Sequence, residues 1–154
     1  PLNFRWIGLI KLIFPNANII HCKRDPLENS WSIYKNDFEG GMLFSNNAQD
    51  IASYYNIYLN LMSYWKSSFN KDIYDLNYED LINNPESKIR EIINFCGLDW
   101  QDACLEYYKN KKSIKTVSFS QARKPIYKDS LKGTAKFKNY IQDLENALSS
   151  SKVR

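Results

Sequence analysis

The stretch "CKRDPLENSWS", Cys22 to Ser32, sets an arginine, an aspartate, a proline and a serine at offsets that suit anion binding. Arg24 follows an apolar run, "ANII", and its planar guanidinium matches a pair of phosphate oxygens. Asp25, Pro26 and Glu28 agree on a helix start: a capping side chain, a proline at the first helical position, and an acid three residues after the cap. Ser32 lies two turns on, about 10 Å along such a helix at about 1.5 Å per residue, so an anion beside the helix would meet both residues. The same residues also fit a local Arg24–Glu28 ion pair with Ser32 facing solvent, and residue types alone leave these two readings even.

Positioning Arg24 requires a strand that runs straight into a helix. Residues 17–22 are short, apolar and β-branched, which predicts a strand, central in its sheet. Before it, Phe4, Ile7, Ile10 and Phe14 recur at helical spacing over 3–14, and "FPNA" ends that helix. Gly40-Gly41 marks a loop. Ile51, Tyr54, Tyr55, Tyr58, Leu59, Met62 and Trp65 trace one long amphipathic helix over 48–69, a stripe read as packing. A second strand is predicted at 73–77, ending at Tyr78. A helix follows over 84–97, with Asn84 as cap, Pro85 next and Gly97 at its end. A short helix at 102–110, an extended loop through "SFSQARKPIY" and a helical tail from about 136 complete the reading. Strands separated by helices point to a parallel α/β sheet, in which ligands bind beyond the carboxyl ends of the strands, where Arg24 stands. Two strands are too few for such a sheet, and the chain opens at Pro1 on an amphipathic stretch. It reads as part of something longer.

Composition narrows the class. At 154 residues, 44% hydrophobic and 25% charged, the chain suits one domain with a core, and disorder is not the default. No run reaches membrane-span length and no leader opens the chain, so it reads as soluble. Cys22, Cys96 and Cys104, with His21 as the single histidine, suit neither a disulfide framework nor a zinc site, and no metal is expected. All three are expected as buried thiols, in keeping with a reduced, cytoplasmic setting. Between Lys109 and Lys138 stand ten lysines and arginines against one acid, Asp129, for +9; against the whole chain's +4 the remainder carries −5. Such a segment suits an anionic partner or a solvated face.

The segment "FPNANIIHCKRDPLENSWSIY" resembles the phosphate-binding strand and helix of the sulfotransferases, especially the tyrosylprotein-sulfotransferase-like branch found in bacteria behind tetratricopeptide repeats. "LNYEDLINNPESKIREIINFCGLDW" is similar to that family's Tyr-Glu-Asp-Leu segment, and "SFSQARKPIYKDSLKGTAKF" resembles its late loop over the donor. The resemblance implies a three-layer, P-loop-type parallel sheet of which residues 1–154 form the carboxy-terminal part. It implies the donor 3′-phosphoadenosine 5′-phosphosulfate (PAPS) and an acceptor hydroxyl, on protein tyrosine or a small molecule. Arg24 and Ser32 would hold the 3′-phosphate, Tyr78 would lie against the adenine, and Ser118 would approach the sulfuryl group. A donor-phosphate lysine is either Lys132, in Lys132-Gly133-Thr134, or Lys136, before Phe137. The family's glycine-rich loop and general base would precede Pro1, so this chain should not turn over alone. His21 sits within the strand and is read as structural.

A different class of reading remains beside this one: a non-catalytic basic module that binds nucleic acid or another acidic polymer through residues 109–138, with Tyr107, Tyr108, Phe119 and Tyr127 for stacking. The order of the motifs favours the sulfotransferase reading, in which no nucleic-acid partner is expected. Acceptor and oligomeric state stay open, a homodimer included.

Overall fold

The structure is a computed structural model, and it describes residues 2–36, 42–110, 126 and 133–151. In chain order these form a 3-10 turn (Asn3–Trp6), α1 (Ile7–Ile13), β1 (Ile19–Lys23), α2 (Pro26–Tyr34), a 3-10 turn (Leu43–Asn46) and α3 (Ala48–Ser68). Then come β2 (Ile73–Asn77), α4 (Tyr78–Asn83), α5 (Pro85–Phe95), a 3-10 segment (Asp102–Lys109), a 3-10 turn (Thr134–Phe137) and α6 (Lys138–Ser151). Among the described residues β1 and β2 pair as a small parallel sheet. The chain divides into two compact units: Pro1–Ile19, Arg24–Ile73 and Lys132–Arg154 in one, Ile20–Lys23 and Tyr74–Leu131 in the other.

The first unit has two apolar clusters. In one, Trp31 from α2, Ile51 and Ala52 from α3, and Ile141, Leu144, Ala147 and Leu148 from α6 bury one another. The α6 residues recur at three- and four-residue intervals, so one face of that helix is covered. In the other, Ile7, Met62 and Ile73 are buried with Phe4, Tyr58, Trp65 and Phe69 packed around them. Trp65 fixes the start of the chain, because its Nε1–H donates to the Phe4 carbonyl at 2.9 Å and its ring lies over Gly8.

The first helix departs from the expected stripe. It opens as a 3-10 turn, and Phe14 lies past its end at 63% exposure. Lys11 is buried in its place, pairing with Asp72 at 2.9 Å and donating to the carbonyls of Pro15 and Ala17. A lysine tolerates such burial only when its ammonium is paired and hydrogen-bonded. Along α3 the predicted stripe packs except at its middle, where Leu59 is 40% exposed.

In the second unit Leu76 and Ile82 are buried, and the Tyr74 ring lies 5.3 Å from that of Phe95. Gly97 has φ +68°, the left-handed conformation that ends α5 and that glycine adopts without strain. Asn84 stands at the cap position of α5 but its side chain makes no capping bond; Pro85 supplies the start signal. The cysteine expectation needs correction: Cys22 is exposed, and Cys96 and Cys104 are half-buried. Side chains alternate along β1, so Cys22 shares the outward face with Ile20.

Candidate functional site

The site begins where β1 gives way to α2. Asp25 is the cap, its Oδ1 accepting from the Glu28 N–H at 2.9 Å, and Pro26 takes the first helical position. Arg24 precedes the cap directly. Its Nη2 donates to Glu28 Oε2 at 3.3 Å, so the local ion pair that the sequence allowed is formed. The Arg24 side chain keeps 26% of its surface exposed. Ser32 lies further along α2, half-buried, and its carbonyl accepts from Asn36 Nδ2 at 2.5 Å.

Glu28 has a second set of partners that its sequence position does not reveal. An acid three residues after a cap commonly reaches back to the cap's own N–H. Here Glu28 is buried, and its Oε1 accepts from both the backbone N–H of Thr134 at 3.0 Å and the Thr134 hydroxyl at 2.7 Å. Gly133 is packed so closely that a Cβ there would stand 3.0 Å from Glu28 Oε2. Phe137, in the same turn, lies with its ring centroid 5.2 Å from that of Trp31 on α2. The turn that opens α6 is thereby fastened to the helix that follows Arg24.

Of the residues singled out in the sequence, the structure brings Arg24, Ser32 and Lys136 into one unit, the last exposed on the turn that Thr134 and Phe137 anchor. Ser118 and Lys132 lie outside the described residues. Glu28 was legible as a helix-start signal and as a local partner for Arg24, but not as a partner of Thr134. Tyr55 was read only as packing; its phenol is pushed up by burial and then by the Asp25 carboxylate.

Tyr78 belongs to the second unit, where it is the first residue of α4 and half-buried. In the same unit Tyr107 has its phenol pushed up by burial and then by the neighbouring phenols of Tyr108 and Tyr78. His21 is paired within the sheet: its Nδ1 lies 2.8 Å from Asp75 Oδ1, while Lys23 Nζ meets Asp75 Oδ2 at 2.9 Å. The hydroxyl of Tyr74 donates to Glu91 at 2.6 Å. Burial and that carboxylate push the phenol up to about 12, while Lys88 and Tyr74 hold the Glu91 carboxyl below its ordinary range. Among the described residues no group of three or more His, Cys, Asp or Glu could hold a metal, and no helix is long and apolar enough to cross a membrane.

A strand running into a capped helix with an arginine at the join is an arrangement suited to anions. Residues 1–102 match the family described as the sulfotransferase family, and the chain belongs to that family. Arg24, Ser32 and Tyr78 fall within the matched residues; Ser118, Lys132 and Lys136 lie beyond them. An uncharacterized protein of Aquifex aeolicus (strain VF5) is 40% identical over 144 residues, which is 92% of this chain and 19% of that protein. The chain therefore spans about a fifth of the length of the curated relative it matches.

Proposed function

We propose that the whole protein transfers a sulfuryl group from PAPS to an acceptor hydroxyl, with a protein tyrosine as the acceptor class the resemblance favours. The observation that carries this reading is the join of β1 and α2: a partly exposed arginine, a capped helix start, and Ser32 two turns on, all within the residues that match the family. Helix N-termini and an arginine fork both favour a multiply charged anion. Residues 1–154 are then the carboxy-terminal part of one sulfotransferase domain, and further parallel strands would extend the β1–β2 pair into a three-layer sheet.

When bound, PAPS supplies a sulfuryl group on an activated sulfur–oxygen bond. The acceptor oxygen takes that group, its proton passes to a general base, and adenosine 3′,5′-bisphosphate leaves. In this reading Arg24 and Ser32 bind the 3′-phosphate, Tyr78 offers a ring face to adenine, and Lys132 or Lys136 meets a donor phosphate. Ser118 would approach the sulfuryl oxygens. Stabilising spread negative charge by fixed cations and N–H groups is the expected source of catalysis in such in-line transfers.

The test is calorimetric titration of adenosine 3′,5′-bisphosphate into the full-length protein beside Arg24→Ala. Saturable binding that weakens by about tenfold or more in the variant is expected, since a charge-assisted contact is worth roughly 1.5–3 kcal/mol. Absent binding, or binding indifferent to Arg24, would overturn the reading. Sulfuryl transfer to tyrosine peptides and to simple phenols then identifies the acceptor, and residues 1–154 alone are expected to show none.

A further inference from the structure

We infer that Glu28 is a positioning residue, whose buried carboxylate orients Arg24 with one oxygen and holds the Gly133–Thr134 turn with the other. The inference deepens the donor-site reading and rests on it for the identity of the ligand. It starts from a division of labour between two atoms. Oε2 takes the Arg24 guanidinium at 3.3 Å, and Oε1 takes the Thr134 N–H at 3.0 Å and its hydroxyl at 2.7 Å. The Glu28 side chain is 10% exposed, and burying a charge is costly unless it is paired and hydrogen-bonded. A negative group beside an arginine that binds anions would on charge alone oppose the ligand. Its retention in a buried place, with both oxygens occupied, points to a positional role.

The consequence is a coupling within one unit. The turn Thr134–Phe137 leads directly into α6, and Arg24 leads directly into α2. Glu28 is the side chain common to both, so the geometry of the guanidinium and the seating of the turn are set together. The absence of a Cβ at Gly133 leaves room for this carboxylate, since an added Cβ would lie 3.0 Å from Oε2.

The direction of a single substitution separates positioning from mere proximity. Glu28→Gln keeps an acceptor for Thr134 and removes the charge that orients Arg24. As a bystander charge Glu28 would, on removal, leave binding of adenosine 3′,5′-bisphosphate unchanged or tighter. As a positioning residue its loss weakens that binding by about tenfold, the size of one charge-assisted bond. Thr134→Val is expected to weaken binding severalfold, and Thr134→Ser, which keeps the hydroxyl, to restore it. These titrations use the full-length protein well below each variant's melting temperature. Unchanged or tighter binding by Glu28→Gln overturns the inference.

Amide exchange at Thr134 supplies a readout that does not depend on the ligand. Protection in the wild type should fall in Glu28→Ala. Should that variant not fold, Glu28→Gln is expected to show a smaller loss, because a neutral acceptor makes a bond about half as strong. If the wild type does not bind adenosine 3′,5′-bisphosphate, the donor-site reading fails while faster exchange still sustains the link to the turn. Unchanged exchange overturns that link whatever the ligand result.

Discussion

Glu28 and Tyr74 show how one side chain acquires properties from its neighbours that its type does not carry. Glu28 meets Thr134 across 106 residues of sequence, and no local pattern around "DPLE" encodes that distance. Tyr74 is an ordinary strand residue until Glu91, on α5, accepts its hydroxyl. A phenol whose folded value is raised to about 12 from 10 binds its proton more tightly in the folded chain. By linkage, its contribution is fully present below about pH 10 and is lost as the pH rises toward 12. The urea midpoint should accordingly fall more steeply over that window in the wild type than in Tyr74→Phe. Parallel slopes for the two proteins would remove Tyr74 from the alkaline transition.

Elements were legible where a start or stop signal is local. Asp25 with Pro26 fixed the beginning of α2, Pro85 that of α5, and Gly97 the end of α5, because caps and prolines act through backbone groups within a few residues. The α1 stripe was less secure: two of its four marked residues fall on the element, while Phe4 lies in the 3-10 turn before it, Phe14 lies past its end and a paired lysine is buried instead. What α1 needs at the contact is room. A Cβ at Gly8 would stand 2.6 Å from the Trp65 ring, which is itself held by its bond to Phe4. Gly8→Ala should therefore destabilise the protein by about 1–3 kcal/mol, the usual range for overpacking, despite the better helix propensity of alanine. A denaturant midpoint equal to or above the wild type would show that Trp65 moves aside freely.

At the scale of the molecule, the first unit is assembled from three separate stretches of sequence, and the last of them is structural. The family match ends at residue 102, yet α6, at 138–151, closes the cluster over Ile51, Ala52 and Trp31. Leu144 is 3% exposed there. Leu144→Ala should cost about 2–5 kcal/mol, the range for emptying a buried leucine site, read from urea unfolding. A loss below about 1 kcal/mol would mean that α6 contributes little to this core. Because the turn at Thr134–Phe137 and α6 are continuous, loosening α6 is also expected to lower protection at Thr134.

The sequence by itself determined the α/β class, the join of strand and capped helix at Arg24, and the resemblance to a family to which the chain belongs. These depend on short-range chemistry: side chains that cap, prolines that cannot continue a ladder, apolar residues at a fixed period. Only the tertiary structure decided that Arg24 shares a carboxylate with Thr134, that Cys22 faces outward, and that Lys11 is buried. Each of these follows from which surfaces meet when distant segments pack, and burial changes the cost of a charge or a thiol far more than its sequence neighbours do. For Glu28 both levels apply at once. Its position signals the start of α2, and its partners tie that start to a turn more than a hundred residues later.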